Sequence, residues 1–158
     1  WLNYTNNDDI KCLAEETNAI WAGSVLGLVK IDKSTGYVNI YNTFNSELPK
    51  NFITAVAVKE DGTKLIGTWG GGLASFDGTS WVIYKTVNSG LPDDIVLEIG
   101  IDENEKIWIG TQNGGIASFD GNSWETFNTS NSGLPGNEIK TIAIDEFDIK
   151  YRLKLKNI

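Results

Sequence analysis

Histidine and methionine are absent from this sequence, and the chain contains only one cysteine and three prolines. Without histidine it cannot build a Ser-His-Asp triad or a Cys-His dyad, and it lacks the commonest metal ligand. A single cysteine forms neither an internal disulfide nor a thiolate metal site. No run approaches the roughly 18 consecutive apolar residues of a membrane-spanning helix. We therefore expect no metal, no other cofactor and no membrane insertion by this segment.

Positive charge is also scarce, with 13 Lys and Arg against 21 Asp and Glu and a net charge of -8. An acidic surface repels phosphate backbones, so we expect no nucleic-acid partner. Hydrophobic residues make up 41% of the chain, which is enough for a core and argues against disorder. Cys12 lies in an apolar run, where we expect a buried, inert thiol. The chain begins at Trp1, and we expect a piece of a longer protein.

The chain repeats itself at an interval of 43 residues. Three pairs of landmarks keep this interval: Gly67 and Gly110, Phe76 and Phe119, and Trp81 and Trp124. Ser89-Gly90-Leu91-Pro92 recurs at the same spacing as Ser132-Gly133-Leu134-Pro135. Each unit holds short alternating segments joined by turns such as Asp77-Gly78, a strong type I′ hairpin signal. A repeat of this length and kind predicts propeller blades of four antiparallel strands.

The repeat predicts a single all-β propeller domain, or a propeller fragment, over residues 1–158. We expect three full blades at about 10–43, 53–86 and 96–128, and a partial fourth blade that combines 139–156 with 1–5. Within it, Ile139–Ile144 reads as an inner strand. Trp1-Leu2-Asn3-Tyr4 is similar to the fourth strand Trp81-Val82-Ile83-Tyr84. Tyr151–Lys156 alternates strictly and is typical of an edge strand whose lysines face solvent.

The count of strands leaves two closures open. The chain could form a small four-bladed ring by itself, or its ring could be completed by a second copy or by blades of a parent protein. The second and fourth strands of an antiparallel blade run parallel, so they do not pair directly without the third. This argument favours incomplete or oligomeric closure.

Several motifs resemble the two-component regulator propeller repeat. The resemblance covers residues 10–145 and rests on Gly90-Leu91-Pro92-Asp93-Asp94, Ile107-Trp108-Ile109-Gly110-Thr111 and Gly114-Gly115-Ile116-Ala117-Ser118-Phe119-Asp120. The resemblance implies a periplasmic or extracellular β-propeller sensor of the kind found in bacterial hybrid histidine kinases. Such sensors often bind oligosaccharides. The first unit and the segment after Asp145 depart from the pattern. No kinase, receiver or DNA-binding segment is present, so signal transduction is implied for a parent protein.

Candidate binding residues lie in two sets of loops that should share one face of the propeller. One set joins second to third strands, and the other joins one blade to the next. The candidates are Lys50, Trp69, Asp93, Asp94, Gln112, Asn113 and Asn137. Trp69 aligns with Val25 and Gln112, so it is not a core position of the repeat. An exposed Trp beside amides and carboxylates suits sugar stacking; the alternative is that Trp69 packs on an adjacent loop.

We expect a non-catalytic sensing module of an exported bacterial protein that binds an oligosaccharide or a partner protein at this face. The alternative is a structural propeller that closes through oligomerisation. A third hypothesis, a glycan-cleaving enzyme, would need paired carboxylates such as Asp93 and Asp94. Gly70-Gly71-Gly72 lies in a strand-to-strand turn and not before a helix, which argues against a phosphate-binding loop.

Overall fold

The computed structural model of the chain describes residues 9–144. Their regular structure is entirely β, in three four-stranded antiparallel sheets that we call blades 1, 2 and 3. Blade 1 contains β1 (Ile10–Glu16), β2 (Ala19–Ser24), β3 (Leu28–Asp32) and β4 (Val38–Tyr41). Blade 2 contains β5 (Ile53–Val58), β6 (Lys64–Thr68), β7 (Gly72–Phe76) and β8 (Trp81–Tyr84). Blade 3 contains β9 (Val96–Ile101), β10 (Ile107–Thr111), β11 (Ile116–Phe119) and β12 (Trp124–Phe127). The all-β fold with three full blades is confirmed.

The partial fourth blade is not shown. Residues 139–144 form no strand within the described part of the chain. A strand is defined by hydrogen bonds to its neighbours, and the predicted partners of this segment fall in 1–5 and 145–156, outside the described residues. Among residues 9–144, no helix is long and apolar enough to cross a membrane.

The inner strands of the three blades pack side by side, β1 against β5 and β5 against β9. Since side chains alternate across a strand, each sheet has a leading face toward the preceding blade and a trailing face toward the next. The first junction buries Trp21, Leu28, Leu48, Ile53, Val56, Ile66, Ala74 and Phe76. The second buries Ala55, Leu65, Leu73, Leu91, Val96, Ile99, Ile107, Ile109, Ala117 and Phe119. The core therefore lies between blades, and each blade depends on its neighbour.

Three aromatic rings fill the outer wedge of each junction. They are Tyr41, Phe76 and Trp81 at the first junction, and Tyr84, Phe119 and Trp124 at the second. The Phe and Trp rings stack at 4.3 Å and 4.4 Å respectively, and each Tyr ring lies 5.4 Å from the Phe. Bulky residues are needed there because the sheets diverge away from the axis.

A glycine in each second strand receives the first inner residue of the next blade. A Cβ added to Gly23 would lie 2.5 Å from Ile53 Cγ2. A Cβ added to Gly67 would lie 2.7 Å from Val96 Cγ1, and one added to Gly110 would lie 2.9 Å from Ile139 Cγ2. Ile139 is only 2% exposed and donates its N–H to the Thr111 carbonyl at 2.9 Å. Residue 139 thus occupies the place of a fourth blade's first residue, although residues 139–144 form no strand in the described part of the chain.

Candidate functional site

Backbone hydrogen bonds bring the two sets of loops to one end of the propeller. The Gly70 and Gly72 amides both donate to the Asp94 carbonyl, at 3.1 Å and 2.8 Å. One repeat later, the Gly115 amide donates to the Asn137 carbonyl at 3.0 Å. The predicted grouping of these loops on one face, which we call the loop face, is therefore confirmed.

Side chains at one repeated position hold the loops between blades. Asn51 accepts the backbone N–H of Thr43 at 2.9 Å. Asp94 accepts that of Thr86 at 2.8 Å, and Asn137 accepts that of Thr129 at 2.9 Å. An Asn or Asp that accepts a backbone N–H within its own loop fixes the turn. Two predicted binding residues, Asp94 and Asn137, therefore have a structural role in their loops.

Asp93 and Asn113 lie together on the same face. Asp93 Oδ1 accepts the Ile95 amide at 3.0 Å, and its Oδ2 accepts the Asn113 amide at 2.8 Å. Both carboxylates of the Asp93-Asp94 pair are thus engaged by backbone donors. Lys50 lies on the same face beside Gly71: a Cβ added to Gly71 would lie 2.7 Å from Lys50 Cγ. The Lys50 side chain is exposed.

A cavity of about 470 Å³ opens where the inner strands reach the loop face, and we call it the axial pocket. It is lined by Lys11, Phe52, Thr54, Trp69, Leu97, Gln112, Glu138 and Lys140. Four of these follow the 43-residue interval: Lys11, Thr54, Leu97 and Lys140. Each is the second residue of an inner strand, or of the segment 139–144. Every repeat unit therefore contributes one axial side chain to this pocket.

Trp69 and Phe52 form an aromatic platform in the axial pocket. Their ring centroids are 5.7 Å apart at an interplanar angle of 18°, and they remain 44% and 38% exposed. The Trp69 amide donates to the Phe52 carbonyl at 3.0 Å, which fixes one loop against the other. Trp69 therefore packs on a neighbouring loop and also presents ring surface to solvent.

Phe52 was not among the residues predicted from the sequence. It aligns with Ile95 and Glu138 at the repeat interval, so this position changes character from unit to unit. Trp69 stands out for the same reason, because the residue type at its position also changes from unit to unit. A comparison of the position before each inner strand would have found Phe52.

The polar groups around this platform leave the pocket close to neutral. Lys11 pairs with Asp9 at 3.1 Å, and Lys140 pairs with Glu138 at 3.5 Å. The Thr54 hydroxyl donates to the Val96 carbonyl at 2.6 Å, which leaves its oxygen able to accept. An aromatic surface flanked by an amide and a hydroxyl fits a neutral, polar molecule with an apolar face.

A second cavity, of about 600 Å³, lies at the opposite end of the blades, between the β1–β2 and β5–β6 turns. Its lining is mostly charged, and Lys59 there pairs with Asp61 at 3.6 Å and with Glu105 at 3.1 Å. Within residues 9–144, no group of three His, Cys, Asp or Glu side chains is placed to hold a metal ion.

Three sheets that pack face to face around an axis, with a pocket where their inner strands meet the loops, define a β-propeller segment. The chain is similar to the extracellular domain of the hybrid two-component system BT3049 from B. thetaiotaomicron, with a TM-score of 0.81 and 25% identity over 93% of this chain. It also matches the extracellular domain of the one-component system BT4673 from the same organism, with a TM-score of 0.53 and 16% identity over 92% of this chain. The computationally designed Ika4 protein matches in fold, with a TM-score of 0.63 and 13% identity over 90% of this chain and 83% of Ika4.

The BT3049 domain matches the two-component regulator propeller family that the repeat resembles, and its extracellular position supports a periplasmic or extracellular location. The chain spans 20% of the BT3049 domain and 26% of the BT4673 domain. No family model and no curated protein matches the chain.

Proposed function

We propose that this chain is a non-catalytic sensing module of an exported bacterial protein, and that its axial pocket binds an oligosaccharide. The observation that carries the proposal is the exposed Phe52–Trp69 platform inside the pocket, next to Gln112 and Thr54. The C–H face of a pyranose ring stacks on an aromatic surface, while its hydroxyls hydrogen-bond to amide and hydroxyl groups.

The placement of the carboxylates supports binding over glycan cleavage. A glycosidase needs one carboxyl group that donates a proton and a second that acts as nucleophile or base. Asp93 and Asp94 instead accept backbone N–H groups in their own and adjacent loops. In the pocket itself, Glu138 pairs with Lys140 at its rim.

Replacing Trp69 with Ala tests this function. The probe is a panel of neutral and acidic oligosaccharides, and binding is measured by isothermal titration calorimetry. We expect at least one neutral oligosaccharide to bind, and Trp69→Ala to raise its Kd about tenfold, since stacking contributes on the order of 1 kcal/mol beyond area burial.

The matched control is Phe44→Ala, which removes an aromatic ring that is 93% exposed in the loop after β4. It should leave the Kd unchanged. The proposal fails if no member of the panel binds, or if Trp69→Ala binds as tightly as the unaltered chain. Melting curves of both variants show whether a loss of affinity reflects a loss of fold.

A further inference from the structure

Within residues 9–144, no other sheet packs on an apolar row on the leading face of blade 1. Cross-strand pairing places Leu13, Ala22, Val29 and Ile40 side by side on this face. Leu13 is 66% exposed and Ile40 is 50% exposed. A second row on the same face, Ile20, Ile31 and Val38, is only partly buried.

The equivalent rows of blades 2 and 3 are core. In blade 2 the row is Val56, Ile66, Ala74 and Ile83, and it packs on blade 1. In blade 3 the row is Ile99, Ile109, Ala117 and Thr126, and its first three members pack on blade 2. Val56 is 9% and Ile99 is 7% exposed, against 66% for Leu13 at the same repeat position. The leading face of blade 1 is therefore built as a junction surface.

The other end of the chain carries the complementary surface. Each trailing face has a row with glycine in the second strand, an aliphatic residue in the third and an aromatic residue in the fourth. The row is Gly23, Leu28 and Tyr41 in blade 1, Gly67, Leu73 and Tyr84 in blade 2, and Gly110, Ile116 and Phe127 in blade 3. On blade 3, Ile139 fills the space above Gly110. Farther out, Trp108 and Phe127 stack at 6.0 Å and stay half-buried, whereas Trp21 at the position of Trp108 is 1% exposed.

We propose that the leading face of blade 1 is an assembly interface occupied by a second copy of this chain. The copy presents its trailing side, formed by blade 3 and residues 139–144. Both internal junctions already join a trailing row to a leading row, so blade 1 and blade 3 carry the two complementary halves of the same contact. Such a contact is heterologous, because it joins two different surfaces. It forms a closed ring if the rotation between successive copies allows closure, and otherwise it grows by the addition of further copies.

The test measures the mass of the full chain by light scattering over a dilution series. We expect a species larger than the 17.3 kDa monomer, which dissociates on dilution. Leu13→Glu should raise the Kd of association on the order of a hundredfold, because it would bury an unpaired carboxylate in an apolar junction. The matched control Val87→Glu adds the same charge in the loop after β8, at a side chain that is 88% exposed, and should leave association unchanged.

Ile40→Lys on the outer strand β4 provides a second variant with the opposite charge, so the answer does not depend on Leu13→Glu folding. A monomer at every concentration would overturn the proposal, as would wild-type mass in both folded variants. A monomer whose leading face is protected from hydrogen exchange would show closure within one chain, which also overturns it. Trp69→Ala should keep the wild-type mass, so sugar binding and assembly can fail separately.

Discussion

The contact between Gly67 and Val96 offers a direct test of how the blades are held together. Gly67 lies in β6 of blade 2, and Val96 begins β9 of blade 3. A Cβ at position 67 would lie 2.7 Å from Val96 Cγ1 and 3.3 Å from Ala55 Cβ. The first distance is well inside van der Waals contact, and Val96 is fully buried, so it cannot move aside freely.

We expect Gly67→Ala to lower the free energy of unfolding by about 1–3 kcal/mol, the usual cost of overpacking a core. Val96→Ala alone should cost about 2 kcal/mol, from two lost methyl groups and the space they leave. In the double variant the added methyl at 67 enters the space vacated at 96. Its cost should therefore fall short of the sum by about 1–2 kcal/mol.

Urea unfolding followed by tryptophan fluorescence measures each value, provided that the slopes agree between variants. The matched control is Gly133→Ala, where an added Cβ meets nothing within 4 Å, so its effect should be close to zero. Strict additivity of Gly67→Ala and Val96→Ala would refute the reasoning, because it would mean that the two side chains do not share one space.

Two further predictions concern titratable groups near the axis. Burial raises the pKa of Glu98, so stability falls as the pH rises from the ordinary carboxyl pKa through the folded pKa. Glu98→Gln should therefore melt at a higher temperature than the unaltered chain at neutral pH. In a pH series of melting curves, this difference in melting temperature should vanish below about pH 4. The same difference at every pH would contradict this. Burial also raises the pKa of Cys12 to about 11. Its alkylation by iodoacetamide, followed by mass spectrometry, should be on the order of a hundredfold slower in the folded chain than in urea, and equal rates would show an accessible thiolate.

The repeat predicted the fold because each landmark has one mechanical task that recurs. Gly67 admits Val96 of the next blade and Gly110 admits Ile139, while Trp81 and Trp124 fill the outer wedge. Such tasks depend on local geometry, which the 43-residue interval reports directly. Strand formation at 139–144 was not predictable in this way, because pairing depends on partner strands and not on the segment's own pattern.

The candidate binding residues predicted from the sequence fall into two groups, for a physical reason. Asp94 and Asn137 have the polarity of binding residues, but their side chains complete the hydrogen bonds of the loops that carry them. Composition does not separate a carboxylate that faces solvent from one that accepts its own loop's N–H. Trp69 and Gln112 reach the axial pocket, and both stand at a position that varies among the units. Departure from the repeat was therefore the better guide to the residues that line the axial pocket.

The two proposals meet at the axial pocket. Lys11 comes from the first inner strand and Lys140 from the last inner segment, and both line it. A neighbour that covers the leading face of blade 1 would therefore also border the pocket. If a bound sugar contacts both copies, binding and assembly are linked, and each strengthens the other by the same factor. The apparent affinity should then rise with protein concentration in the unaltered chain and stay constant in Leu13→Glu. An affinity that does not depend on concentration in either would mean that one chain forms the complete pocket.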